Sequence, residues 1–126
     1  MRFLIDSHVL IWHLEDDPLL ALERSDLIDD ASNEPFVSIA SLWEIAIKQS
    51  LGKLKLSHPV GDLVSIIDNS TISVLPITSD HIVRVSLLPF HHKDPFDRLI
   101  IAQALTEDVS IITSDPDFAA YGVNII

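Results

Sequence analysis

The sequence alternates short, continuously apolar runs with longer stretches of helical periodicity, and this alternation limits the possible folds. Five apolar runs have the length of strands: FLI before Asp6, FVSI at 36–39, ISVLPI at 72–77, VSIIT at 109–113 and VNII at 123–126. Strands that are apolar throughout are typical of parallel sheets, because helical crossovers cover both faces of such sheets. The pattern therefore predicts an α/β sandwich around a five-stranded parallel sheet.

Helical periodicity fills the segments between these runs. The predicted helices cover residues 9–14, 18–31, 41–51, 60–67, 79–88 and 95–107. Gly52 is placed to end the third helix, Thr78 can cap the fifth, and Asp94 before Pro95 is a typical N-cap for the sixth. No repeat or linker interrupts the chain, so we expect one domain over residues 1–126.

The composition indicates a globular protein and excludes several kinds of site. Hydrophobic residues make up 48% and charged residues 21% of the chain, which is not the composition of a disordered protein. No apolar run approaches the ~18 residues that cross a bilayer, and the N-terminus does not resemble a secretory signal. The absence of cysteine excludes disulfides and thiolate sites. No glycine-rich phosphate loop is present, and we expect a cytoplasmic protein.

The net charge of −11 argues against a nucleic-acid partner, whose phosphates favour basic surfaces. The acids are unevenly distributed, however. Eight of them lie between residues 15 and 34, where only Arg24 opposes them. This acidic run has two interpretations, a solvated helix face or a docking face for a basic partner.

Four carboxylates are expected at the carboxyl ends of the strands, where open α/β sheets place their functional crevice. Asp6 directly follows the first strand and Asp115 closely follows the fourth, while Glu44 and Asp97 are expected in first helical turns. A carboxylate such as Asp6 at the end of a buried strand is costly without a partner. Glu44 is also explained by a capping box with Ser41, and Asp115 by a turn.

Together these acids require positive compensation, which a divalent cation can supply. Mg²⁺ prefers oxygen ligands, and metal ions between carboxylates can clamp a phosphoryl displacement. Such ions also invert the local field, so that an acidic crevice can accept a phosphodiester. Lys93 and Arg98, and more weakly Lys48, are then candidates to contact RNA. Asp94 is interpreted as a structural N-cap rather than as a ligand.

Three stretches of the chain resemble the PIN-domain ribonucleases, and more narrowly the VapC-type toxins of toxin–antitoxin pairs. They are FLIDSHVLIW, VSIASLWEIAIKQSLGKL, and HHKDPFDRLIIAQA followed by IITSDPDF. The resemblance implies a PIN-like three-layer α/β/α sandwich and places Asp6, Glu44, Asp97 and Asp115 as the acidic metal-binding quartet. It matches Thr113 to a supporting hydroxyl residue and Asp117 to an auxiliary acid. It also implies Mg²⁺- or Mn²⁺-dependent RNA hydrolysis, a small antitoxin partner and a homodimer.

The sequence thus favours a metal-dependent endoribonuclease that acts as the toxin of such a pair. The alternative is a catalytically silent PIN-like module that docks a basic partner. Loss of function in Asp6→Asn would separate the two. His91 and His92 are interpreted as solvated or capping residues, and Trp43 as a packing residue of its helix.

Overall fold

The chain folds around a four-stranded parallel sheet, as a computed structural model of residues 1–126 shows. The strands are β1 (Arg2–Ile5), β2 (Glu34–Ser38), β3 (Ser73–Leu75) and β4 (Ser110–Ile112). The order across the sheet is β3-β2-β1-β4, and all neighbouring pairs are parallel. The helices are α1 (Ser7–Leu14), α2 (Leu22–Asp29), α3 (Ile39–Ser50), α4 (Val60–Asp68), α5 (Ser79–Leu87) and α6 (Pro95–Glu107), followed by a 3₁₀ helix (Pro116–Tyr121).

Two apolar layers cover the two faces of the sheet, as the predicted α/β/α sandwich requires. Phe3 and Ile5 point into a cluster with buried residues of α1 to α4. Leu4, between them, points to the opposite face, where it packs with apolar residues of α6 and with Phe118 and Tyr121. Alternate residues of one strand therefore pack into both layers, which is why the three buried residues of β1 are all apolar. None of the helices is both long enough and apolar enough to cross a bilayer.

The predicted fifth strand, VNII, is wrong. Residues 123–126 run beside β4 but make one isolated parallel bridge, between Ile111 and Ile125. Its two hydrogen bonds, from Ile111 N to Asn124 O and from Ile126 N to Ile111 O, engage a single residue of β4. The left-handed turn at Gly122, with φ of 75°, directs the segment there. One bridge is not a ladder, so the sheet has four strands.

The other differences concern where elements begin and end. α2 starts at Leu22 rather than at Pro18, and β3 ends at Leu75, directly before Pro76, which has no N–H for a ladder. α3 starts at Ile39, two residues before the predicted start, because the Ser38 hydroxyl accepts a hydrogen bond from Ala40 N and caps the helix at the end of β2. This shift matters for the interpretation of Glu44.

Candidate active site

The register of the sheet places Asp6 beside Thr113. Ile5 of β1 pairs with Ile112 of β4, so the residues that follow them leave the same edge of the sheet together. Asp6 is buried at the N-cap position of α1, but its side chain makes no cap hydrogen bond. Instead, Thr113 Oγ1 donates to Asp6 Oδ2 at 2.9 Å, and Asp115 N donates to Thr113 Oγ1 at 3.0 Å. Asp6 Oδ1 is buried without a partner.

The capping interpretation of Glu44 is wrong. Because Ser38 caps α3, Glu44 lies in the second turn of the helix and not in its first. Ser41, the other half of the predicted capping box, receives a hydrogen bond from Ser7 Oγ instead. The Glu44 side chain is buried, and its Oε2 accepts a hydrogen bond from Lys48 Nζ at 2.8 Å. Its Oε1 is buried with no partner, so the ion pair with Lys48 within α3 accounts for only one oxygen of this carboxylate.

Asp94 and Asp97 occupy different positions at the start of α6. Asp94 is the N-cap, and its Oδ1 accepts hydrogen bonds from Phe96 N and Asp97 N at 2.9 and 3.0 Å. Asp97 lies three residues further along, in the first turn of α6, with 14% of its side chain exposed. Burial, and then repulsion from Asp94, Asp6, Glu44 and Asp115, raises the pKa of Asp97 to about 8.

Contacts between neighbouring residues connect the four segments that carry these acids. Thr113 hydrogen-bonds to Asp6 and to Asp115 N, Ser7 donates to Ser41 of α3, and the Trp43 ring of α3 contacts the Phe96 ring of α6. Burial is also the main cause of the raised pKa of Asp6, to which Glu44 contributes. The side chain of Lys48 offsets part of this charge, and its hydrogen bond with Glu44 is the main cause of its own raised pKa.

A cleft of about 250 Å³ opens onto this edge and is lined by Asp6, His8, Trp12, Ser114 and Asp115. Asp115 caps the 3₁₀ helix, and its Oδ1 accepts a hydrogen bond from Asp117 N at 2.9 Å. The predicted turn role of Asp115 is thus present alongside its position in the cleft. Asp117 takes part only through its backbone N–H, and its side chain is exposed.

The donor set fits a hard divalent cation. All four convergent groups are carboxylates, and Asp6 Oδ1 and Glu44 Oε1 are desolvated oxygens without a hydrogen-bond donor. No group of three or more acidic or histidine side chains is already arranged closely enough to hold a metal ion. Mg²⁺ keeps several of its waters and needs only one or two direct carboxylates, so it does not require such a cluster. Bound in the crevice, it would relieve the repulsion that raises the pKa of Asp97.

The raised pKa of Asp97 predicts how the stability of the metal-free protein depends on pH. The folded state holds the proton up to about pH 8, whereas the ordinary pKa is 3.8. Between these values the folded state binds more protons than the unfolded chain, so the free energy of unfolding falls as the pH rises. We expect Asp97→Asn, which cannot ionise, to match the parent near pH 4 and to exceed it by about 2 kcal/mol above pH 8, less than the full shift because water screens the site.

Urea unfolding with a chelator present measures this difference. Asp117→Asn is the matched control, since it removes an exposed carboxylate that is not among the groups raising the pKa of Asp97, whereas Asp94 is one of them. A gain in Asp97→Asn that is the same near pH 4 and above pH 8 would contradict the titration of Asp97.

The prediction that Arg98 contacts RNA is wrong. Its side chain is 4% exposed, and Nη1 donates to Pro89 O at 2.8 Å and to the Tyr121 hydroxyl at 3.2 Å. Nη2 donates to Leu88 O at 3.3 Å, and the guanidinium lies 4.0 Å from the centre of the Phe90 ring. Lys93, by contrast, is exposed, and Lys48 lies at the site through its contact with Glu44.

Two residues beside the acids have surroundings that the sequence did not indicate. Trp43 is 61% exposed rather than packed, and its ring meets Phe96 edge-on at 5.2 Å. His92 is not a solvated or capping residue: its Nε2 lies 3.3 Å from Asp97 Oδ2 and its Nδ1 lies 2.7 Å from the Tyr121 hydroxyl. The sequence signal that could have identified them is their nearness to the acids. Trp43 directly precedes Glu44, and His92 lies five residues before Asp97.

The chain is similar to known proteins in its family assignment and in its structure. The model of the PIN domain family matches residues 3–124. No curated protein matches the chain in sequence. Among solved structures, VapBC2 from Rickettsia felis bound to a promoter DNA fragment has a TM-score of 0.75 at 14% identity, covering 100% of this chain and 98% of that one.

Two further structures share the fold over nearly their whole length. VapBC-1 from nontypeable Haemophilus influenzae has a TM-score of 0.71 at 14% identity, with 100% of this chain and 97% of that chain covered. FitAcB from Neisseria gonorrhoeae has a TM-score of 0.67 at 18% identity, with 98% and 96% covered. At these identities the similarity establishes a common fold.

Proposed function

The chain belongs to the PIN domain family, and from this premise we propose that it is a metal-dependent endoribonuclease, the toxin of a toxin–antitoxin pair. Domains of this family are generally nucleases. The observation that carries the proposal is the convergence of Asp6, Glu44, Asp97 and Asp115 from four segments, which is expressed in the raised pKa of Asp97. Helix capping does not explain Asp6 or Glu44, whose free oxygens are buried.

In the proposed reaction, these four carboxylates would hold Mg²⁺ or Mn²⁺, one or two of them directly and the others through its waters, and would position the water that attacks an RNA phosphodiester. The ion would supply activation of that water and stabilisation of the leaving oxygen. The protein supplies preorganisation: Thr113 fixes one oxygen of Asp6, and Lys48 fixes one oxygen of Glu44. In each of these two carboxylates the other oxygen is buried and unpaired, and the cleft beside them is lined by Asp6 and Asp115.

The partners follow from the fold relatives and from the charge distribution. Structures with this fold include VapBC complexes, which supports a small antitoxin partner for this chain. The acidic run from residue 15 to residue 34, largely solvent-facing, suits a basic partner segment. A homodimer and a cytoplasmic location are part of the same proposal.

The decisive assay uses purified protein freed of any antitoxin, incubated with RNA and either Mg²⁺ or Mn²⁺. Cleavage that a chelator stops and added metal restores is the expected result. Protein that is folded by circular dichroism but cuts no RNA in either metal would overturn the proposal. In that case the silent protein-binding module becomes the better explanation of the fold.

Trp43 is expected to stack on an unpaired base of the RNA. Its exposed ring contacts the ring of Phe96 in the first turn of α6, so a base stacked on it would lie at the end of α6 that carries Asp97. Stacking on an aromatic side chain contributes about 1–3 kcal/mol per base, so Trp43→Ala should weaken RNA binding roughly 5- to 150-fold, and Trp43→Phe much less. Fluorescence anisotropy with labelled single-stranded RNA and a chelator measures this without cleavage. Equal affinities for the parent and Trp43→Ala would exclude the contact.

A further inference from the structure

We propose that His92 is a positioning residue that holds the Asp97 carboxylate. It does so as part of a hydrogen-bond relay that runs from Arg98 through Tyr121 and His92 to Asp97, in which each donor and acceptor is fixed. The inference rests on the proposed function in one respect, that Asp97 is a metal ligand. The relay itself is a property of the protein alone. It connects the loop before α6, the first turn of α6 and the 3₁₀ helix, and it ends on the acid that the other carboxylates repel.

The direction of the relay is set at the Tyr121 hydroxyl. Arg98 Nη1 donates to the Tyr121 oxygen at 3.2 Å, and His92 N donates to it at 3.2 Å. Both groups are donors and cannot accept a hydrogen bond. The hydroxyl has one proton of its own, and the remaining neighbour within reach is His92 Nδ1, at 2.7 Å. Tyr121 therefore donates to Nδ1, and Nδ1 accepts.

The tautomer of His92 follows from this acceptance. A neutral imidazole whose Nδ1 accepts carries its proton on Nε2. Nε2 lies 3.3 Å from Asp97 Oδ2, so it donates to the carboxylate. This is the hydrogen bond that the Asp97 side chain makes in the structure, and it engages one oxygen. The other oxygen, Oδ1, stays available to a cation.

The surroundings of the ring prevent it from turning away. The His92 ring meets the Tyr121 ring at 64° with centroids 5.4 Å apart, and it is 12% exposed. Arg98, one residue after Asp97, is held by the carbonyl oxygens of Leu88 and Pro89. The loop that carries His92 is thus fastened to the helix that carries Asp97. Groups that hydrogen-bond a metal-ligating carboxylate orient it and tune its affinity.

The metal-free protein provides the first test, which does not depend on nuclease activity. Long-range ¹H–¹⁵N correlation spectra of the imidazole distinguish the two neutral tautomers. At pH 8 we expect the proton of His92 on Nε2 and, in Tyr121→Phe, loss of that fixed assignment. A parent protein with the proton on Nδ1 would overturn the relay.

The second test compares His92→Gln with His92→Asn in a calorimetric titration with Mn²⁺. The amide nitrogen of glutamine reaches about the position of Nε2 and can still donate to Asp97, whereas the shorter asparagine cannot. Removing such an outer partner typically costs 10- to 100-fold in metal affinity, so we expect about that loss in His92→Asn and most of the affinity restored in His92→Gln. Urea unfolding of both variants separates loss of fold from loss of affinity.

The outcomes distinguish this proposal from the proposed function. If the parent binds Mn²⁺ and the two variants differ as expected, the positioning role stands even where no RNA is cut. If both variants lose affinity equally while folded, His92 binds the ion directly and the positioning role is overturned. Unchanged affinity in His92→Asn, or no binding of Mn²⁺ by the parent, overturns it as well.

Discussion

Asp97→Asn is expected to abolish metal-dependent RNA cleavage, whereas Asp94→Asn is expected to keep most of it. The two acids are three residues apart, but Asp94 accepts two backbone N–H bonds as the N-cap of α6, and Asp97 faces Asp6, Glu44 and Asp115. Outer partners of metal ligands account for 10- to 100-fold effects, so removing a ligand should lower the rate by more than about 100-fold. Initial rates of RNA cleavage in Mn²⁺ measure the difference.

The comparison is well matched because both changes remove one carboxylate charge at the same helix end. Asparagine is as good an N-cap as aspartate, so Asp94→Asn should fold and bind RNA like the parent. Circular dichroism checks the fold of both. If the two variants lose activity to the same extent, proximity of charge rather than metal ligation explains the effect. If both act like the parent, the acids are structural and the binding-module alternative gains support.

Arg98→Met is expected to lower the free energy of unfolding by about 3–4 kcal/mol. The guanidinium satisfies the carbonyl oxygens of Leu88 and Pro89 and the Tyr121 hydroxyl in a buried setting. Methionine fills a similar volume but donates no hydrogen bond, which leaves the carbonyl oxygens of Leu88 and Pro89 unsatisfied at a cost of about 1–3 kcal/mol for each group that water cannot reach. Urea unfolding at neutral pH measures the loss.

Lys93→Met is the control for this prediction, because it removes the same charge five residues earlier at an exposed position. A surface change of this kind should alter stability by less than about 0.5 kcal/mol. RNA binding should depend on Lys93 and not on Arg98. We therefore expect Lys93→Met to bind RNA more weakly than the parent, and Arg98→Met, where it remains folded, to bind like the parent. A stable Arg98→Met that binds RNA poorly would restore the original prediction that Arg98 contacts RNA.

Local signals in the sequence predicted the elements whose ends depend on nearby residues. α6 begins at Pro95 and ends at Glu107 as expected, because the Asp94–Pro95 pair specifies its start. Ser38 and Ser41 are equally good caps by sequence, and the choice between them depends on Ser7, which engages Ser41 from α1. VNII has the composition of a strand, but the number of partners it finds depends on the turn at Gly122.

The same distinction applies to the candidate site. The positions of Asp6 and Asp115 follow from a parallel sheet, whose strands all end at one edge. The surroundings of Arg98 and His92 do not, because both side chains are held by Tyr121, which is distant in the sequence. A motif gives the residue types that stand together, but burial depends on segments outside the motif.

The hydrogen bond from Thr113 to Asp6 spans 107 residues of sequence, and this affects when the crevice can form during synthesis. Asp6 is made well before β4, which pairs with β1 and is followed directly by Thr113. Contacts of such long range form late and slowly compared with helices. A growing or truncated chain that stops short of β4 therefore lacks a formed crevice, and Asp6 gains its hydrogen-bond partner only after β4 has joined the sheet.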